Sequence, residues 1–149
     1  MYKLVRTDSN NPDFKKLVKL LDSELAITDG DEHAFYNQFN KIDSIKYVVL
    51  AYIGEIPVGC GAIKEFDSQT MEVKRMYVVQ SQRGKCIATG ILQSLEVWAK
   101  EMSFSRCILE TGVRQPDAIA LYKKNAYLLT ENYGQYIGVL NSYCFEKLL

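Results

Sequence analysis

The chain has 149 residues, 48% hydrophobic and 24% charged, which suits one compact domain with its own core and excludes a disordered or fibrous protein. Eighteen basic residues balance eighteen acidic ones, and no long basic run marks a binder of nucleic acid or anionic lipid. No window reaches the roughly 18 consecutive apolar residues of a membrane helix, and MYKLVRTDSN lacks the apolar core of a secretory signal, so a cytoplasmic protein without a membrane partner is expected.

In chain order, YKLVRT alternates apolar and polar residues from Tyr2 to Thr7 and predicts a first strand, ended by the turn formers DSNNP. Phe14, Leu17, Val18, Leu21 and Leu25 then recur at helical spacing through DFKKLVKLLDSELA. ITDGDEHAFYNQFNKI reads as irregular, with a short helix from Asp31. IKYVVLAYIGEIPVGCGAIKEF holds two β-rich runs around Gly54 and Glu55, a hairpin signal. A third run, TMEVKRMYVV, predicts a strand with Glu72, Lys74 and Met76 on one face and Val73, Arg75 and Tyr77 on the other.

From Arg83 onward, Ile87, Ile91, Leu95, Trp98 and Met102 form the apolar stripe of a helix whose opposite face carries Lys85, Thr89, Gln93, Glu96 and Lys100. RCILET reads as a buried strand and QPDAIALYKKN as a short helix with Pro116 near its first turn. YLLTE and SYCFEKL read as final strands joined by a loop rich in glycine and tyrosine. The order implies a single domain, 1–149, of α+β (α/β) class around one mixed, mostly antiparallel twisted sheet of about six to seven strands flanked by about four helices.

Cys60, Cys86, Cys107 and Cys144 are widely spaced and form no C-x-x-C, the pattern of buried free thiols. The single histidine, His33, lies far along the chain from any cysteine and reads as an ordinary surface residue, so no metal site is expected.

QSQRGKCIATG stands between the third strand and the helix after it. A helix that starts on glycine and small residues exposes backbone N–H groups pointing one way, and with the positive end of the helix dipole these bind phosphate. Arg83 and Lys85 add charge there, and Gly84 lets a ligand approach the backbone. The residues leave two readings open, an anion cradle and a solvated helix start.

VKRMYVVQSQRGKCIATGILQSLEVWAK resembles the central motif of the GNAT N-acetyltransferases, a strand followed by Arg or Gln, two residues, Gly, one residue, and Gly or Ala opening a helix. Arg83 and Ala88 match, while Cys86 stands where the first glycine is usual. LETGVRQPDAIALYKKNAYLL is similar to the second motif, and ENYGQYIG with SYCFEK to one bacterial subgroup, so the likeness runs from Gly54 to the C-terminus. The resemblance implies the acyl-CoA N-acyltransferase fold with acetyl-CoA as cosubstrate and no metal. It puts the pyrophosphate on Arg83, Gly84, Lys85, Cys86, Ile87 and Ala88, and the pantetheine along Met76, Tyr77 and Val78, where strand-like backbone pairing supplies affinity. It also implies that the strand of Met76 splays from that of Cys107 to Glu110. Cys86, small and in no need of positive φ, is expected to weaken binding rather than abolish it; the alternative is a reactive thiol of lowered pKa.

The implied reaction moves the acetyl group to an amine of a small molecule, peptide or protein by direct attack in a ternary complex. An amine of pKa about 10 must first lose a proton. Glu72 stands where some family members keep a glutamate base; otherwise it is an exposed strand residue paired with Lys74 or Arg75. Tyr122 matches the tyrosine that serves many members as general acid, and a phenol of pKa about 10 keeps its proton at neutral pH and so has one to give to the departing thiolate. Its other reading is a packed core tyrosine. The oxyanion donor implied is the Met76 N–H. Ala126 stands where glycine is usual, so either Asn125 takes the left-handed turn or the helix ends differently.

By the same resemblance the acceptor is walled by DGDEHAFYNQF and ENYGQYIG, where Asp31, Glu32, Tyr133 and Tyr136 suit an amine, or plain solvent. A homodimer is an expectation of the resemblance alone. Two rivals stand beside the enzyme: a CoA-binding regulatory module without turnover, and an adaptor without cofactor.

Overall fold

The computed structural model describes residues 1–39, 41–42 and 44–149. In chain order it holds β1 (Lys3–Thr7), α1 (Pro12–Asp29), α2 (His33–Asn37), β2 (Tyr47–Ile53), β3 (Ile56–Asp67), β4 (Thr70–Val78), α3 (Ile87–Glu101), β5 (Arg106–Gly112), α4 (Pro116–Lys124), β6 (Leu128–Thr130) and β7 (Ser142–Leu148). Single 3₁₀ turns sit at Gly30–Glu32, Gln80–Gln82 and Gly134–Tyr136.

The start of α1 is encoded locally. Asn11 Oδ1 accepts from the Asp13 N–H at 2.8 Å, Pro12 occupies the first turn, and Asp13 complements the helix dipole. Phe14, Leu17 and Val18 then bury one face. The helix runs past Leu25 to Asp29, into the stretch expected to be irregular, because Ala26 to Asp29 keep helical backbone without an apolar period; Ile27 points to solvent. Gly54, at φ 60°, makes the tight β2–β3 turn that a side chain would strain.

The sheet has seven strands in the order β1-β2-β3-β4-β5-β7-β6. β4 and β5 pair in parallel, and every other pairing is antiparallel. Helices cover both faces, which is why β2 reads as an unbroken apolar run: Val48 and Leu50 pack toward Phe14 and Leu17 of α1, Val49 and Ala51 toward Ile91 and Leu95 of α3. Cys60, Cys107 and Cys144 are buried free thiols, and Cys86 is exposed. No helix among the described residues is long and apolar enough to cross a membrane.

Two expectations need correction. Strict alternation along β4 fails at a bulge: Lys74 pairs with Ala62, but Tyr77, not Met76, pairs with Cys60, and Arg75 takes φ 58°. One extra residue reverses side-chain parity. Met76 therefore joins Val73 on the α3 face, while Tyr77 joins the α1 cluster. Glu96, expected on the outer face of α3, is buried and accepts from Lys147 Nζ of β7 at 2.9 Å. The apolar stripe is wider than the one read from sequence, since Leu92 and Ala99 are buried too.

Candidate active site

The parallel pairing of β4 with β5 stops after Glu72 and Ile108. Beyond that point the bulged half of β4 and the end of β5 separate, and a cavity of ≈ 800 Å³ opens between them. Residues of α1 and the starts of α3 and α4 line it.

At the α3 end, the chain leaves β4 through the 3₁₀ turn and reverses at Gly84, φ 80°, whose Cα faces open space. Cys86 is the residue before the helix. It adopts the left-handed conformation, φ 63°, and no side chain caps the helix start, so the first-turn amides lack a side-chain acceptor. The expectation that Cys86 needs no positive φ is thus overturned. The reversal demands a conformation glycine takes freely and a cysteine holds at a cost of about 1–2 kcal/mol.

Eight of the nine residues expected at the cofactor line this cavity: Met76, Tyr77, Val78, Arg83, Gly84, Cys86, Ile87 and Ala88. Lys85 does not, and its Nζ donates to Gln82 Oε1 at 2.9 Å. Arg83 is already engaged: Nη2 donates to both carboxylate oxygens of Glu24 on α1 at 3.0 Å, and Nε to the Val78 carbonyl at 2.8 Å. Its charge serves to tie α1 to the loop, leaving the backbone as the donor set.

Deeper in, Tyr122 is buried, stacks edge-on against Tyr127 at 5.8 Å, and lines the cavity. The ring belongs to the core, as one reading expected, and it also lines the cavity. Burial raises its phenol well above the ordinary value, and the Glu110 charge adds to that, so Tyr122 stays protonated at neutral pH.

Glu110, on β5, is the functional candidate that sequence reasoning missed. It lines the cavity, and its Oε2 is buried without a hydrogen-bond partner among the described residues. Burial pushes its carboxyl up to about 7; a hydrogen bond with Ser142 opposes this, and the charges of Asp29 and Glu72 reinforce it. A signal existed, since LETG places a carboxylate at the C-terminal end of an apolar strand, where parallel strands present their sites. Asp29 was missed as well. It is buried on the cavity wall, its carboxyl raised by burial, with His33 Nδ1 3.7 Å away.

Glu72 is buried rather than exposed, and is not among the residues lining this cavity. It accepts from Tyr133 Oη at 2.6 Å, and Lys74 Nζ lies 3.7 Å from it, the partner one reading expected. Of the expected acceptor residues, Tyr136 lines the cavity, Asp31 is exposed, and Glu32 accepts from Asn141 and from Arg114 at 3.5 Å. Ala126 itself takes the left-handed turn, φ 70°, while Asn125 stays at φ −94° with its Nδ2 donating to the Leu121 carbonyl at 2.9 Å.

Comparison with known proteins places this geometry. Residues 14–127 match the model of the acetyltransferase (GNAT) family. The chain is 38% identical over 93 residues to an IAA acetyltransferase of Azospirillum brasilense, a match spanning 62% of this chain and 60% of that protein. It superposes with TM-score 0.84 at 25% identity on a Klebsiella pneumoniae structure assigned to the acyl-CoA N-acyltransferases, covering 100% of this chain and 98% of the other. The same fold, at 14% identity and TM-score 0.74, occurs in the PaiA N-acetyltransferase of Thermoplasma acidophilum, solved in complex with coenzyme A, with 100% and 99% of the two chains covered.

Proposed function

The chain belongs to the GNAT acetyltransferase family, and from that premise we propose that it transfers the acetyl group of acetyl-CoA to an amine of a small molecule, peptide or protein by direct attack in a ternary complex. The observation that carries this reading is that Glu110, Tyr122 and the uncapped amides of α3 border one cavity, so proton acceptor, proton donor and anion cradle face a common space.

The cradle from Arg83 to Ala88 takes the diphosphate on backbone N–H groups. Met76, Tyr77 and Val78 offer their unpaired edge to the pantetheine, and the Met76 N–H faces the oxyanion that forms at the thioester carbonyl. Glu110 is the base. A carboxylate with affinity near 7 is half ionised at neutral pH, and the cavity brings it within reach of the incoming ammonium. The neutral amine adds to the thioester carbonyl, the resulting oxyanion collapses with loss of the C–S bond, Tyr122 Oη protonates the departing thiolate, and the phenolate so formed takes the proton that the new amide nitrogen sheds. Glu72 is better suited to hold Tyr133 and the acceptor wall, because its carboxylate already accepts a hydrogen bond away from the cavity. The buried free thiols suit a reducing cytoplasm.

Release of free thiol from acetyl-CoA, followed across a panel of amines, amino acids and peptides, tests the proposal. Turnover with at least one amine that Glu110→Gln abolishes is the expected result. Coenzyme binding without turnover on any acceptor would instead leave the regulatory module.

A further inference from the structure

Arg75 is a buried cation that neither the fold nor the transfer step explains. It sits on the β4 bulge in the left-handed region, which a long side chain seldom occupies, and only 2% of its side chain is exposed. Among the described residues its guanidinium makes one hydrogen bond, from Nη2 to Asp22 of α1, and its buried Nε has no partner. A guanidinium carries five N–H donors in a flat fork, and a buried one served by a single acceptor calls for another. Arg75 lines the same cavity as Glu110, as do Leu21 and Leu25 of α1 and Tyr36 of α2.

We propose that Arg75 anchors a carboxylate of the acetyl acceptor, so that the acceptors are amino acids carrying amine and carboxylate on one small molecule. The inference rests on the acetyltransferase reading for the position of the amine at Glu110. The anion matches the fork: a carboxylate accepts two parallel N–H bonds from one guanidinium, which a point-like ammonium would not direct. Its charge matches as well. Asp22, itself 39% exposed, already balances part of the arginine, and Asp29 and Glu110 line the same cavity, so one further negative charge is better accommodated than the two of a phosphate. The ammonium of the same molecule meets Glu110, and the two poles of a zwitterion thereby select its orientation.

The test compares the common free L-amino acids with their carboxamides, which keep shape and amine but lose the negative charge. Binding is measured by calorimetry in the presence of coenzyme A, and turnover by thiol release. At least one amino acid should bind about 30-fold or more tightly than its carboxamide, and Arg75→Met should erase that preference while coenzyme A affinity holds. If Arg75→Met does not fold, Arg75→Lys and the wild-type comparison decide. Equal binding of acids and carboxamides, binding of neither, or a loss of coenzyme A affinity in the variant overturns the anchor. Turnover with plain amines and carboxamides would sink the anchor and leave acetyl transfer standing. Acid-selective binding without any turnover would keep the anchor and sink the transferase.

Discussion

Two parts of the cavity lining handle charge in opposite ways. At the start of α3 the groups free to meet an anion are backbone amides beside Gly84, while the nearby arginine is paired with Glu24 and the lysine with Gln82. On β4, β5 and α1 the charged groups are side chains, Arg75, Glu110 and Asp29, buried with few partners. A cradle of amides works with almost any side chain and keeps its form because the fold requires it. A buried carboxylate acquires its chemistry from whatever surrounds it, which makes that part both the costly and the adaptable one.

The comparison breaks first at Glu110. Glu110→Gln should lower kcat/KM by roughly 10²–10⁴-fold in a thiol-release assay while leaving coenzyme A binding intact. Wild-type kcat/KM should rise with pH through about 7, the value to which burial pushes this carboxyl, and the variant should lose that limb. Stability should move the other way. Because the folded-state affinity lies above the unfolded value of 4.5, the native state binds the proton more tightly, and stability present below 4.5 is lost as pH rises to about 7. The substitution should therefore raise the unfolding free energy at pH 8 by up to about 3 kcal/mol of relieved ionisation cost, and Tm with it. An unchanged Tm with full activity would remove Glu110 from both roles.

Tyr122→Phe probes the buried tyrosine that lines the same cavity. About 10²-fold should be lost from kcat, with the thermal shift on adding coenzyme A unchanged, because the ring packing against Tyr127 survives. A wild-type rate would reassign Tyr122 to the core alone.

The cradle should be insensitive to side-chain chemistry but sensitive to backbone strain. Cys86→Gly relieves a left-handed cysteine and should add about 1 kcal/mol in urea unfolding without weakening coenzyme A binding. Weaker binding would mean that the thiol itself contacts the ligand. The smallest effect is expected for Glu24→Gln, which breaks a half-exposed ion pair and should cost under about 1 kcal/mol. Freed from α1, Arg83 should make coenzyme A binding tighter and more salt-dependent, and no change in salt dependence would show that Arg83 does not reach the ligand.

Much of this was legible along the chain, and the misses share a cause. The α3 stripe, the Gly54 turn and the run of strands along the chain follow from local periodicity and turn chemistry, as does the helix start on glycine and small residues. Glu110 and Asp29 looked like ordinary carboxylates because burial arises from elements distant in sequence: α1 and α2, the α4 approach and the β6–β7 loop close around them. The β4 bulge was invisible for a related reason. Alternation assumes one residue per pairing step, and the slip at Arg75 shows only in the pairing of β4 with Cys60 and Ala62 of β3.

What the sequence alone determined is the run of elements and a helix start with free amides between a strand and α3, because turn formers, small residues and apolar periods are properties of consecutive residues. What only the tertiary structure decided is which acidic and basic groups lose water. Glu110 rather than Glu72 borders the cavity, and Arg75 is drawn inward, because desolvation depends on neighbours brought from across the sheet, and proton affinity follows desolvation.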